Sequence, residues 1–291
     1  YVPGRFSIAL EPSESKVFHM LASASLGKPE TRGPLENVRD PGLVWEREVE
    51  RRVEIVTASR ELWPGGDWAR WLALSADAFI VRGGPTRQRS AIAGYHWFGD
   101  WGRDTMIAMP GLTLVPRKYN VARGILKNFA RYCDRGMIPN RLPEAEEQPE
   151  YNTVDASLWF IHAVKKYLDY TSDLNFVESE LFDVLAQIMQ HYIHGTRYNI
   201  HMDADGLIYA GEAGTQLTWM DAKIGDLVVT PRRGKAVEIN ALWYNALRTM
   251  EQLSRRLGKM GSSFKYALLA EKAKRSFNQT FWNQAENCLY D

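Results

Sequence analysis

Apolar residues recur at helical spacing along most of this chain, and this periodicity limits the fold more than any other feature. Each predicted helix carries apolar residues three or four positions apart, as a helix with one buried face does. The predicted helices run over 34–63, 67–81, 103–114, 117–133, 153–170, 174–198, 238–257 and 264–281. Strand signals are almost absent between them. We therefore predict an all-α fold with roughly eight helices.

Short and long connections alternate between these helices, and no exact sequence repeat relates them. Such a succession is typical of helical hairpins stacked around an axis, in an α-toroid or a solenoid. The loops before the inner helices of such a fold gather at one mouth. The connection 199–234 is rich in Gly and Asp, and a loop of that length in a compact domain is uncommon unless it is functional.

The N-terminal end is predicted to be different. Residues 5–10, RFSIAL, alternate as a short strand does, and a turn-like EPSES follows. We predict that residues 1–30 are the last strand and linker of an upstream β domain, and that 31–291 form the helical part. Because the chain starts without Met and ends at CLYD, we expect it to be a fragment.

Composition argues against several classes of partner. The 36 Lys+Arg balance 35 Asp+Glu, so no net field attracts nucleic acid or an anionic membrane. No apolar run approaches the roughly 20 residues that span a bilayer. Cys133 and Cys288 are too few for a disulfide framework, and the N-terminus lacks the features of a signal peptide. We expect a cytoplasmic protein that binds neither nucleic acid nor membrane.

The stretch 94–106, GYHWFGDWGRDTM, mixes aromatic rings with charged groups. A buried core would reject unpaired carboxylates, and a plain surface has no use for so many rings. A concave site that stacks flat apolar faces and binds hydroxyl groups suits both, and this points to sugar. Aromatic residues make up 12% of the chain, which agrees with that interpretation. The candidate binding residues here are Tyr95, His96, Trp97, Asp100, Trp101, Arg103 and Asp104.

Arg103 and Asp104 are adjacent at the start of a predicted helix. Asp104 is either a helix cap or one half of a clamp in which a carboxylate and a guanidinium bind sugar hydroxyls. Trp97 and Trp101 would supply the apolar platform for the ring of the sugar.

Asp221, in TWMDAK, is the candidate general acid. Glycoside hydrolysis needs a carboxylic acid that protonates the leaving oxygen. Trp219 and Met220 give this carboxyl apolar neighbours, which favour the protonated form. The alternative is a loop aspartate in an Asx turn.

Three further residues have open alternatives. Asp155 stands where a helix begins, so capping competes with sugar binding. Glu238 lies among apolar residues and must face either a polar cavity or a cation such as Arg232. Arg141 either anchors its own loop or reaches the same cavity.

Metal and cofactor motifs are weak. His191 and His194 share a helix face but lack the third ligand of a zinc site. Asp203 and Asp205 resemble the start of a calcium loop whose later ligands are missing. No dinucleotide, P-loop or hydrolase-elbow motif occurs. We predict no metal and no cofactor.

Five ordered motifs together resemble the amylo-α-1,6-glucosidase part of glycogen debranching enzymes. They are GYHWFGDWGRDT, GMIPNRLPE, EYNTVDASLWF, TWMDAK and GKAVEINALWYNAL, and they run from about Tyr95 to about Asn245. The resemblance implies an (α/α)6 toroid preceded by a β-sandwich-like domain, with about eight of its twelve helices in this chain. It further implies inverting hydrolysis of α-1,6-linked glucose at the branch points of glycogen or a related α-glucan, with water as nucleophile and no cofactor.

Residue by residue, the resemblance makes Asp221 the general acid, and Arg103 with Asp104 the pair that holds the terminal glucose in glucoamylase-like enzymes. It implies that the pocket is lined by Asp100, Trp101, Asp155, Trp159, Trp219 and Glu238. In these toroids the general base lies on one of the last helices, so we expect it beyond Asp291. The isolated chain should then release no glucose.

Two other interpretations remain open. A toroid glycosidase of trehalase-like or glucoamylase-like specificity would differ in the subsite next to the cleaved bond. A non-catalytic glycan-binding toroid would bind saccharide without hydrolysis.

Overall fold

The computed structural model describes residues 7–17, 40–62, 66–83, 88–96, 98–142 and 148–291. The chain divides into two compact units, Tyr1–Leu74 and Ser75–Asp291. The predicted boundary near residue 30 lies outside the described residues. Residues 7–10 of the predicted strand have no strand structure, and residues 5 and 6 lie outside the description.

Helices dominate the described residues of both units, as predicted. The helices are α1 (Pro41–Leu62), α2 (Asp67–Ala78), α3 (Gly102–Met109), α4 (Tyr119–Arg131), α5 (Ala156–Thr171), α6 (Leu174–Phe176), α7 (Phe182–His194), α8 (Val237–Arg256) and α9 (Met260–Phe281). A wider helical turn at Val177–Leu181 joins α6 to α7, so the described residues hold eight α-helical elements, besides a 3-10 turn at Arg197–Asn199. None of the helices in these ranges is long and apolar enough to cross a membrane.

The strands are short and form four separate antiparallel pairs. They are β1 (Ile80–Gly83) with β2 (Gln88–Ala91), β3 (His201–Met202) with β4 (Ile208–Tyr209), β5 (Lys223–Ile224) with β6 (Leu227–Val228), and β7 (Trp282–Asn283) with β8 (Cys288–Leu289). The prediction that 67–81 is helical throughout is wrong at its end, because the chain enters β1 after Ala78. The stretch 199–234, predicted to be irregular, contains two of these hairpins.

Helix α3 is followed directly by a wider helical turn, Pro110–Leu114. Proline has no amide hydrogen, so the regular helical bond to residue 106 cannot form there. At the end of the turn the amide of Val115 donates to the carbonyl of Pro110, five residues back, at 3.0 Å. The prediction of a helical segment over 103–114 is therefore confirmed, with a change of pitch at the proline.

The core of the second unit fixes the loops that carry polar residues. Tyr192 of α7 and Trp243 of α8 are fully buried and stack with ring centroids 6.2 Å apart. The Tyr192 hydroxyl donates to the carbonyl of Val154 at 2.7 Å, and the Trp243 indole donates to Gly206 at 3.1 Å. Burial raises the pKa of Tyr192, so this hydroxyl stays protonated and remains a donor. The core thus holds the segment just before α5.

Asn240 connects α8 to the hairpin β3–β4. Its side chain is fully buried, accepts from the amide of Ile208 at 2.7 Å and donates to the carbonyl of the same residue at 3.2 Å. One amide side chain therefore satisfies both main-chain groups of a β4 residue, which fixes the position of this hairpin on α8.

Candidate active site

Main-chain bonds bring the motif at 99–104 to the motif at 138–142. The amide of Gly102 donates to the carbonyl of Asn140 at 2.7 Å, and the amide of Leu142 donates to Asp100 at 3.0 Å. A Cβ atom on Gly102 would stand 2.1 Å from the carbonyl oxygen of Pro139, so only glycine allows this approach. Asp100 is buried at the junction, and Trp101 is half-buried beside it.

A third motif joins through Glu150. The amide of Asn140 donates to the Glu150 carbonyl at 2.7 Å, and the amide of Glu150 donates to Arg141 at 3.1 Å. The Arg141 guanidinium also contacts the Glu150 carboxylate at 3.0 Å. This ion pair is the contact expected of a loop anchor, one of the two predicted alternatives for Arg141.

The fourth motif, which contains Asp221, reaches the same place through a neighbouring residue. The amide of Val154 donates to the carbonyl of Leu217 at 2.8 Å. This bond joins the segment in front of α5 to the segment in front of Asp221. Four motifs that are far apart in sequence thus meet within one network of main-chain hydrogen bonds.

Arg103 lies at the centre of this junction. Its Nε donates to Asp155 at 2.6 Å, its Nη1 to Asp221 at 3.0 Å and its Nη2 to the carbonyl of Thr218 at 2.8 Å. The planar fork of a guanidinium suits such an arrangement of three oxygen acceptors. Three of the predicted site residues, Arg103, Asp155 and Asp221, are therefore in direct contact.

The exposures of these three residues differ in a way that matters for chemistry. The side chain of Asp155 is 3% exposed and that of Arg103 is 11% exposed, whereas that of Asp221 is 33% exposed. Burial alone would lower the pKa of Arg103, but the charges of Asp155 and Asp221 outweigh it and raise that pKa. The buried ion pair of Arg103 with Asp155 is held in place. Asp221 is the one of the three residues that a ligand from solution can reach.

Helix capping does not account for Asp155. This residue occupies the N-cap position of α5, yet its side chain makes no bond to the helix amides. One carboxylate oxygen accepts from Arg103, and the other accepts from the Thr153 hydroxyl at 2.5 Å. The carboxylate is thus held entirely by the site.

Glu238 has the cationic partner that was one of its two predicted alternatives. The carboxylate forms a bidentate ion pair with Arg232, with one Nη2–Oε2 distance of 2.8 Å. Arg232 also contacts Asp291 and donates to the Thr218 hydroxyl at 3.1 Å. The bonds with Glu238 are the main cause that raises the pKa of Arg232, so its charge is permanent.

The remaining predicted residues have other neighbours. Tyr95 is exposed and donates to the carbonyl of Ala78, and His96 is exposed next to it. Trp159 packs edge-on against His162 in α5. Asp104 is exposed in the first turn of α3, where its negative charge stabilises the helix by interacting with the helix dipole. Trp97 lies outside the described residues.

Trp219 is 62% exposed and stands two residues before Asp221 in the sequence. An indole face open to water can stack on an apolar sugar face. Trp219 is therefore available to a ligand.

No group of three or more potential metal ligands comes together among the described residues. Asp203 and Asp205 both bind Lys235, at 2.8 and 2.7 Å. The carboxylates of the calcium-like stretch are thus engaged in an ion-pair cluster.

Sequence reasoning missed Thr153 and Thr218. Both are almost fully buried, and both use side-chain or main-chain oxygens to hold charged residues of the site. A signal was available, because Thr153 stands two residues before Asp155, within reach of its carboxylate. Nothing in the sequence around Thr218 indicates its two arginine partners.

Residues 74–291 match the family model described as amylo-alpha-1,6-glucosidase. The chain belongs to this family. Every candidate residue from Tyr95 to Glu238 lies within the part that matches the amylo-alpha-1,6-glucosidase model, and so do the four motifs that meet at Arg103. The resemblance inferred from the motifs is thereby confirmed.

The chain is also similar to the glycogen debranching enzyme of Saccharomyces cerevisiae. The two are 26% identical over 238 residues, which cover 63% of this chain and 15% of that enzyme. The chain therefore spans a small part of the length of the relative that it matches.

Proposed function

We propose that this chain forms part of an α-1,6-glucosidase that removes the glucose at branch points of glycogen or a related α-glucan, with inversion. The proposal rests most of all on the contact of Arg103 with both Asp155 and Asp221, because it joins three of the family's motifs at one reachable place. We further propose that the helices belong to an (α/α)6 toroid and that the protein acts in the cytoplasm.

In the proposed reaction Asp221 protonates the glycosidic oxygen as the bond to the anomeric carbon breaks. Water attacks the opposite face of the sugar, which inverts the configuration. This step also needs a second carboxylate as general base, about 6.5–9.5 Å from the acid.

The contact between Arg103 and Asp221 has a place in this mechanism. Nη1 of Arg103 occupies a carboxylate oxygen of Asp221, and a general acid needs its carboxyl group within reach of the leaving oxygen. We propose that hydroxyls of the terminal glucose, with Asp104 as a second ligand, replace Asp221 as the acceptor of Nη1 of Arg103. Asp155 keeps Nε and the carbonyl of Thr218 keeps Nη2, so the guanidinium stays in place. The carboxyl group of Asp221 can then turn toward the glycosidic oxygen, to which it donates the proton.

Trp219 would hold the sugar by stacking, and the half-buried Trp101 would close the other side. Asp100 would support the proposed sugar site from the main-chain junction, and Glu238 would support it from α8. The roles of Tyr95, His96, Trp97 and Trp159 as further contacts remain part of the proposal.

The test is Asp221→Asn in the complete polypeptide. Glucose release from panose should fall by about two to four orders of magnitude, because the amide keeps the shape but has no proton to donate. Binding of isomaltose, measured by calorimetry, should change by less than about threefold.

Asp226→Asn is the matched control, since Asp226 is an exposed aspartate in the turn between β5 and β6 of the same loop. It should keep the full rate. A variant Asp221→Asn that retains most of its activity on panose would show that the acid is another residue.

A further inference from the structure

The segment that carries Asp221 is held by two arginines through a single residue. The carbonyl of Thr218 accepts from Arg103 at 2.8 Å, and the hydroxyl of Thr218 accepts from Arg232 at 3.1 Å. Thr218 is 3% exposed, so both bonds are shielded from water. Asp221 follows three residues later, and its position relative to Arg103 therefore depends on where Thr218 lies.

Arg232 is itself fixed from two sides. The main chain beside it pairs with Ala210, because Gly234 and Ala210 exchange two hydrogen bonds of 2.8 and 3.0 Å. Its guanidinium forms the bidentate pair with Glu238 in the first turn of α8. Bidentate pairing fixes the plane of a guanidinium as well as its position. Helix α8 is thus connected to Thr218 through a rigid side chain.

These bonds lie beside a small cavity. Leu217, Thr218 and Met220 line it together with Arg232 and Ala236. A residue that borders unfilled space has fewer packing contacts, so polar contacts matter more for its position. The bonds of Thr218 to Arg103 and Arg232 are such contacts.

We infer that Arg232 is a positioning residue for the general acid, and that it acts through Thr218 with Glu238 as its support. This inference rests on the proposed function. It also gives Glu238 a specific role, because a carboxylate engaged at both oxygens by Arg232 acts on the site through that arginine. A displacement of about 1 Å at a reacting group lowers a rate by about 100-fold.

The experiment compares two substrates in the complete polypeptide. Panose needs a proton on its leaving oxygen, whereas α-D-glucosyl fluoride releases fluoride with little help from an acid. We expect Arg232→Met to lower kcat on panose by about 10- to 100-fold. We expect its kcat on the fluoride to change by less than about threefold, with KM for panose nearly unchanged.

Thr218→Val tests the same bond without disturbing Arg232 or its pair with Glu238. It removes the hydroxyl and keeps the shape, so it should reproduce the selective loss on panose, while Thr218→Ser should restore most of the rate. The double variant should be no worse than Arg232→Met alone, because both changes remove one shared contact.

Arg248→Met is the matched control. Arg248 also bridges two carboxylates, Glu251 at 2.7 Å and Glu271 at 2.6 Å, but on the part of α8 away from the junction. It should leave both substrates unaffected.

Equal losses on panose and on the fluoride would mean that Arg232 is merely structural, and an unchanged kcat on panose would mean that it does not position the acid. Either result overturns the inference and leaves the proposed function standing. A wild-type protein that releases glucose from neither substrate would overturn the proposed function, and the inference with it.

Discussion

Gly102 leaves no room for a side chain at the junction of the motifs. A Cβ atom there would meet the carbonyl oxygen of Pro139 at 2.1 Å, and main-chain atoms cannot turn aside as a flexible side chain can. Asn140, the residue after Pro139, accepts the hydrogen bond of the Gly102 amide. A small change at this residue must therefore move two motifs apart.

We expect Gly102→Ala to lower the free energy of unfolding by about 1–3 kcal/mol, as overpacking does. Urea denaturation followed by circular dichroism measures it. Gly124→Ala is the control, since Gly124 lies inside α4 with open space around it. That change should stabilise the protein by about 0.5–1 kcal/mol. A destabilisation by both variants, or by neither, would contradict the steric argument.

Single residues of the site were predictable from the sequence, but their partners were not. Arg103, Asp155 and Asp221 all stand out because they are charged residues among aromatic or apolar neighbours. The sequence suggests that Arg103 acts with the adjacent Asp104, but it gives no sign that Arg103 contacts Asp155 and Asp221. Its actual partners lie 52 and 118 positions away, and no local pattern encodes such a distance.

At the scale of elements, α8 and the hairpin β3–β4 form one unit through Asn240. The side chain of Asn240 bonds to both main-chain groups of Ile208 and also donates to Ala236 at 3.0 Å. The part of the connection 199–234 that carries the general-acid candidate starts just after this hairpin. Its position therefore depends on a contact inside the core.

We expect Asn240→Ala to lower the free energy of unfolding by about 2–3 kcal/mol, because it leaves a buried amide and carbonyl of Ile208 without partners. Thermal and urea unfolding measure the change. Asn120→Ala, at an exposed position in the first turn of α4, should alter it by no more than about 0.5 kcal/mol. Equal effects at the two positions would show that the bonds of Asn240 contribute little.

Helices were predictable as elements, because each carries a long apolar stripe. The residues at which the helices begin and end were less predictable. Helix α5 was predicted from Thr153 and begins at Ala156, since Thr153 and Val154 bond to Asp155 and Leu217. The hairpins within 199–234 escaped prediction because strands of two residues are too short to show alternation.

At the scale of the whole molecule, the proposed function differs from a glucoamylase-like specificity in the glycosidic linkage that is cleaved. Panose and maltotriose both contain three glucose units, but only panose carries an α-1,6 linkage. We expect the complete polypeptide to release glucose from panose about tenfold faster or more, judged by kcat/KM.

Glucose release from panose and from maltotriose should disappear together in Asp221→Asn. This result would exclude a contaminating enzyme. Faster release from maltotriose would identify a glucoamylase-like specificity. Saccharide binding with no release from either substrate would indicate a non-catalytic glycan-binding protein.

The span between Arg103 and Asp221 affects how the chain comes to be folded. Contacts distant in sequence form late, because the intervening chain must be ordered before they contribute. At ordinary rates of translation, the 118 positions between these residues take on the order of ten seconds to synthesise. During that interval a nascent chain can form α3 to α5 while Arg103 has only Asp155 as a charged partner. Helical structure should therefore appear on the ribosome well before any affinity for sugar.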